Sequence, residues 1–243
     1  MLYCIFSDVH SNLQALESFL KIIDKIKPHR IICLGDIVGY GANPQECIEK
    51  VSRVSHQILA GNHDWACCGK FSLSYFNAYA YEAILWTASM LNSWQKEFLC
   101  KLPLIFEEKE YIFVHASLDK PGEFNYIFSP QDASLTFSKM DKKKICFVGH
   151  THLPGVFSKD SKGGINYIYK KEIELYDNHI YIVNVGSIGQ PRDGNPCGCF
   201  CLFDERRFIV KFIRFEYNIK EAQIEILSKG LPQILAQRLG GGW

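Results

Sequence analysis

Residues 2–10 read Leu-Tyr-Cys-Ile-Phe-Ser-Asp-Val-His, a five-residue apolar run set directly against an aspartate and a histidine. A run this short, rich in β-branched and aromatic residues, predicts a buried strand. Ser11 and Gln14 then read as a capping box. The helix they open carries Leu13, Leu16, Phe19, Leu20, Ile23 and Ile26 on one face, and Pro28 stops it. A second strand, Ile31–Leu34, follows and ends in Gly35-Asp36. Strand, helix and strand in close succession are the grammar of an α/β sheet.

The pattern continues outward from this unit. Asn43, Pro44 and Glu46 supply the N-cap, first-turn proline and capping partner of a helix to about Arg53. Apolar runs at Gln57–Ala60, Tyr111–Val114 and Ile145–Val148 predict three more strands, with an aromatic helical insert at about 75–100. Past Pro154 the reading turns antiparallel: Gly155–Ser158 and Ile165–Tyr169 flank a Lys-Asp-Ser-Lys-Gly-Gly turn, and His179–Val183, Gly198–Phe203 and Phe208–Phe215 are further strands. A helix is expected near Lys220–Lys229, then a frayed Gly240–Trp243 end. With no repeat and no low-complexity linker, residues 1–243 are read as a single domain.

Composition narrows the function classes. At 47% hydrophobic and 22% charged residues the chain is globular, which excludes disorder. A formal charge of +1 leaves no general footprint for nucleic acid. No apolar run is long enough to span a membrane. Met1–Phe6 has neither a basic stretch nor a cleavage site, so a cytoplasmic location is expected. In a reducing compartment the ten cysteines are read as buried small hydrophobes or ligands rather than disulfides, with Cys197, Cys199 and Cys201 on one strand face and packing favoured there over metal binding. Lys142, Lys143 and Lys144 are read as a solvated loop.

What ends each run carries the chemistry. Asp8 and His10, Asp36, Asn62-His63-Asp64, His115, and His150 and His152 all follow predicted strands. In open α/β sheets ligands bind beyond the carboxyl ends of the strands, so these side chains converge on one rim. Two carboxylates, an amide and several imidazoles are costly to bury together without a cation. The absence of thiolates points away from a structural zinc site and towards a hydrolytic one.

These blocks, with Gly39-Tyr40-Gly41-Ala42-Asn43-Pro44 and the Gly186–Gly194 turn, resemble the motif series of calcineurin-like metallophosphoesterases, most closely the small bacterial and archaeal members. The likeness covers nearly the whole chain. It implies a four-layer α/β/β/α sandwich of two mixed sheets flanked by helices, and a dinuclear centre. Asp8, His10, Asp36 and His152 would hold one metal, and Asp36, Asn62, His115 and His150 the other, with Asp36 bridging. Manganese is favoured, with Fe, Ni, Co or Zn as alternatives. Such paired ions sit about 3.5 to 4 Å apart and clamp an in-line displacement by a bridging hydroxide.

The same resemblance gives His63 a substrate-facing, catalytic role; Asn62 and Arg192 are the candidate substrate-binding residues. The substrate class it implies is a small, nucleotide-like phosphodiester or phosphomonoester. Phosphoprotein or dinucleoside polyphosphate hydrolysis, and a scaffold without turnover, are the other readings; a scaffold would be free to lose ligands, and none is lost here. Asp64 is read either as the orienter of His63 or as a cap of the next segment. Gly39 departs from the family, where an acidic residue is common. Arg192 is either a phosphate clamp or the ion-pair partner of Asp193, and Asn184 and Ser187 either touch substrate or cap their turn. Trp65, Phe124 and Tyr126 either stack on a substrate ring or pack in the core.

Overall fold

The computed structural model describes residues 1–243. The chain begins β1 (Leu2–Phe6), α1 (Leu13–Ile26), β2 (Arg30–Cys33), α2 (Pro44–Val54), β3 (Gln57–Ile58) and α3 (Asn62–Cys67). It continues α4 (Ala78–Met90), α5 (Ser93–Lys101), β4 (Ile105–Glu108), β5 (Tyr111–Val114), α6 (Pro130–Phe137) and β6 (Ile145–Val148). Then come β7 (Gly155–Lys159), β8 (Ile165–Ile168), β9 (Glu172–Glu174), β10 (Ile180–Asn184), β11 (Gly198–Asp204) and β12 (Ile209–Phe215). Two helices, α7 (Ile219–Ser228) and α8 (Gln233–Gly241), close it.

The strands form two mixed sheets, in the orders β3-β2-β1-β11-β12-β9 and β4-β5-β6-β10-β7-β8. β1, β2 and β3 run parallel, as do β5, β6 and β10, and the other pairings are antiparallel. Successive strand residues point to opposite faces. In β1, Tyr3 and Ile5 therefore join Phe113, Phe147 and Val183 of the other sheet in an inter-sheet core. Cys4 and Phe6 face away and pack with Leu16 and Phe19 of α1 and Val51 of α2. On the far side Ile112, Val114 and Cys146 meet Ala133 and Phe137 of α6. The result is the four-layer α/β/β/α sandwich.

Local details correct the sequence reading in several places. α1 is capped by Asn12, whose side chain accepts from Ala15 N at 3.1 Å. Ser11 sits at φ +54 with its buried hydroxyl unpartnered, so the Ser11–Gln14 box does not form. Asn43 makes no side-chain cap bond, leaving Pro44 to set the start of α2. The C-terminus is not frayed: Leu235, Ala236 and Leu239 of α8 pack with Ala222 and Ile226 of α7. Not all the cysteines are unpaired either. Cys68, which caps α3, forms a disulfide with Cys100 of α5, their Cα atoms 5.8 Å apart, because those two helix ends pack together. Cys199 and Cys201 are buried in the inter-sheet core as expected.

Candidate metal centre

Parallel pairing of β1 and β2 places Phe6 opposite Cys33, so both strands release their chains at the same rim. The loops beyond stay paired: Asp8 N donates to Gly35 O at 3.0 Å and His10 N to Asp36 O at 3.0 Å. The second sheet contributes the loops after β5 and β6, tied by Gly149 N to His115 O at 2.8 Å. Sharp reversal at these strand ends puts Asp8, His10, Asp36, His150 and His152 at φ between +49 and +66. Non-glycine residues hold such conformations only where the surroundings fix them, and they cluster at functional sites.

The side chains converge in three buried groups: Asp8, His10 and His152; His10, Asp36 and His63; and Asp36, His115 and His150. Within each, the candidate ligand atoms lie within 4.8 Å of one another. Asp36 Oδ2 is 3.4 Å from His115 Nε2 and 3.6 Å from His10 Nε2, and so belongs to both ends of the cluster. Asp8 Oδ1 is 3.2 Å from His152 Nε2. Beside them, Asn62 sits in the first turn of α3 and is also buried.

Hydrogen bonds behind the rings set their tautomers. Nδ1 of His10 faces Val38 O at 3.1 Å, Nδ1 of His115 faces Leu34 O at 3.2 Å, and Nδ1 of His152 faces Gln190 O. A carbonyl only accepts, so each Nδ1 carries a proton and Nε2 is the nitrogen turned towards the cluster, able to act as a ligand once the ring is neutral. Asp8 Oδ1, Asn62 Oδ1, His115 Nε2 and His150 Nε2 are buried without a hydrogen-bond partner. Orphaned acceptors cost stability unless something satisfies them, and a divalent cation fits this mixed oxygen and imidazole set.

The electrostatics agree with that fit. Burial alone would raise the Asp8 and Asp36 carboxyls, but His152 beside Asp8 and His115 beside Asp36 hold both well below the usual range. Burial pushes His150 down to about 3 and His63 down to about 4. His115 goes the other way: burial would lower it, and Asp36 then Asp8 carry it up to about 9.

His63 stands in the same turn of α3, in ring contact with His10, Tyr40 and Phe76 at 4.4–4.9 Å between centroids. Asp64 does not bond to its imidazole. Its carboxylate accepts from Gly61 N at 3.0 Å, the cap of α3, and from the backbone N of Asp36, Ile37 and Val38 at 2.8–3.2 Å. Burial and the neighbouring Asp36 push the Asp64 carboxyl up, while the amides favour its charged form. Gly61 allows the close approach: a Cβ there would stand 2.0 Å from Asp36 Oδ1.

Arg192 is not paired with Asp193, which instead binds Arg214. Arg192 Nη2 contacts Gln190 Oε1 at 3.0 Å and the Tyr40 hydroxyl at 3.4 Å. Tyr40 in turn packs against the rings of His10 and His63, so these bonds hold the guanidinium beside the rim. Ser187 and Asn184 buttress the rim from behind. Ser187 Oγ donates to Asp8 O at 2.8 Å, and Asn184 Nδ2 donates to Gly149 O at 2.7 Å and contacts Thr151 Oγ1. Phe124 is buried, with Trp65 edge-on at 5.7 Å, whereas Tyr126 is 47% exposed and stacks on His150 at 4.1 Å. Sequence reasoning assigned no role to Tyr40, wedged between His10 and His63, although its Gly-Tyr-Gly-Ala-Asn-Pro block is distinctive.

Two packed mixed sheets with a buried Asp/His rim at their strand ends define a metal-dependent hydrolase. The chain belongs to the calcineurin-like phosphoesterase superfamily, whose domain matches residues 1–207. It is thereby a phosphoester hydrolase with a metal-binding His/Asp cluster. An uncharacterised protein of Methanocaldococcus jannaschii, MJ0912, is 42% identical over 239 residues, covering 97% of this chain and 96% of that one. The crystal structure of a metallophosphoesterase from Sphaerobacter thermophilus superposes with a TM-score of 0.87 at 36% identity, covering 100% of this chain and 99% of that one. The hypothetical protein PH1004 from Pyrococcus horikoshii shares the fold, with a TM-score of 0.79 at 21% identity, covering 100% and 98%. No helix is long and apolar enough to cross a membrane.

Proposed function

We propose that the protein is a two-metal phosphoesterase acting in the cytoplasm on small, nucleotide-like phosphodiesters or phosphomonoesters, with Mn2+ as the favoured ion. The observation that carries this reading is Asp36 Oδ2, shared between His10 at one end of the cluster and His115 at the other. Asp8, His10, Asp36 and His152 would hold one ion; Asp36, Asn62, His115 and His150 would hold the second. When bound, such ions supply Lewis-acid polarisation of a phosphoryl oxygen and a water acidified towards neutrality.

The chain's own groups do the rest. Arg192, steadied by Gln190 and Tyr40, offers a guanidinium to the phosphate oxygens. His63 stands against His10 and Tyr40 at the rim, where its ring N–H would donate a hydrogen bond to the phosphoryl or leaving oxygen and stabilise the charge that develops there. Asp64 fixes the loop between Asp36 and Val38 and the start of α3, so that Asp36 and His63 keep their relative position. His63 N donates to Asp36 Oδ1 at 2.9 Å, which couples the two directly.

The test is a hydrolysis panel on metal-stripped protein reloaded separately with Mn2+, Fe2+, Co2+, Ni2+, Zn2+ and Mg2+. Cyclic nucleotides, a generic diester, a monoester, a dinucleoside polyphosphate and a phosphopeptide make up the panel. Metal-dependent release of product from the small esters is expected, with two ions bound per chain. No turnover with any ion, or saturation at one ion, would overturn the proposal.

A further inference from the structure

A cavity of about 360 Å³ opens beside the rim, lined by Asn62 and His150 and by Phe71, Tyr75, Glu123, Asn125 and Tyr126 among others. That volume is within the range of small-ligand sites. Its aromatic lining is built as a rigid series. Tyr75 stacks on Phe71 at 5.1 Å, Phe71 meets Phe124 edge-on at 5.1 Å, and Phe124 packs against the ring of His115 at 6.0 Å. Tyr126 stacks on His150 at 4.1 Å and on Phe128 at 5.1 Å. Tyr75 uses one ring face on Phe71 and is still 76% exposed, so its other face is open. Large aromatic faces left in solvent beside a catalytic rim are what a planar ligand would cover.

The polar part of the lining narrows the ligand. Asn125 presents both an amide donor and an acceptor, and Glu123 presents acceptor oxygens. Asn125 Nδ2 donates to Glu123 Oε2 at 3.4 Å and Lys120 Nζ pairs with Glu123 Oε1 at 3.2 Å, which ties the two side chains together on one loop and leaves Asn125 Oδ1, its second amide hydrogen and the remaining carboxylate lone pairs for a ligand. Such groups match the mixed donor and acceptor edge of a heteroaromatic base and are of no use to a plain phenyl ring. We propose that this cavity receives the nucleobase of a nucleoside phosphoester, stacked on Tyr75 and hydrogen-bonded at its edge by Asn125 and Glu123, while the phosphate lies at the metal rim. The inference rests on the phosphoester chemistry proposed above and assigns the substrate's other end.

The test is equilibrium binding of AMP, ribose 5-phosphate and phenyl phosphate to the Mn2+-loaded protein, by calorimetry. AMP should bind about tenfold or more tightly than either of the others, as expected for one base stacked on an aromatic ring. Tyr75→Ala should collapse the AMP to ribose 5-phosphate ratio towards one, and Tyr75→Trp should keep it. The ratio is immune to any fault that affects both ligands, and Tyr75 is exposed enough to replace without disturbing the fold. Equal binding of AMP and ribose 5-phosphate, an unchanged ratio in Tyr75→Ala, or phenyl phosphate binding as tightly as AMP would each overturn the base site. Hydrolysis of small esters without base discrimination would sink this inference alone. Base discrimination without hydrolysis would support it while removing the catalytic reading.

Discussion

Gly39 is pressed against His63 so closely that a Cβ built on it would stand 2.4 Å from Nδ1 of the imidazole. That nitrogen is buried and has no hydrogen-bond partner. This chain has no side chain at that position, and φ of +93 suits glycine alone. Gly39→Ala should displace the ring and lower kcat about tenfold or more, with the metal content unchanged. Kinetics and metal analysis on the same preparation check this; wild-type turnover would show that the ring position is not critical.

His63 itself should be separable from metal binding. His63→Ala is expected to retain both ions and lose about 10²- to 10⁴-fold in kcat, the usual worth of a positioned proton donor. Equal activity in the variant would remove His63 from the mechanism.

The proposed centre makes Asp36 the shared ligand, so Asp36→Asn should empty both sites rather than one. Metal analysis after dialysis should find well under one ion per chain. Full occupancy of two ions would contradict the bridging role.

Asp64 acts through the backbone, and its loss should appear as instability. Asp64→Ala leaves the amides of Asp36, Ile37, Val38 and Gly61 without their acceptor. At about 1–3 kcal/mol for each buried unsatisfied group, a loss on the order of 3 kcal/mol or more is expected by urea unfolding. An unfolding midpoint equal to wild type would refute that accounting.

Metal loading should displace protons. In the metal-free protein the pKa of His115 is raised from 6.5 to about 9 by Asp36 and Asp8, against the effect of burial. Its protonated form therefore stabilises the metal-free fold fully below pH 6.5, and that contribution fades as pH rises through 9. A ligand imidazole must be neutral, so loading at pH 7.5 should release close to one proton from this site, and affinity should weaken in acid. Calorimetry in two buffers of different ionisation enthalpy measures the release; identical heats would count against it.

Much of the rim was legible because apolar runs of strand length end in ligand-type residues, as Leu2–Phe6 does before Asp8 and Tyr111–Val114 does before His115. Periodicity and residue chemistry are local signals, and these are local facts. The misses are tertiary. α8 forms despite its glycines because Leu235 and Leu239 are buried by α7. Asp64 turns to the amides of a loop 27 and 28 residues earlier, a choice no spacing rule reveals. Tyr75 and Tyr126 share one cavity only because the fold brings the insert and the loop after β5 together.

The left-handed backbone at Asp8, His10, Asp36, His150 and His152 sets stability and catalysis against each other. A glycine at any of these positions would relax the main chain while deleting a ligand, so selection for a sturdier metal-free protein would tend to dismantle the enzyme. The cation is then what keeps five awkward residues worth retaining, and a lineage that lost access to it would have every thermodynamic reason to let the rim decay into an inert scaffold.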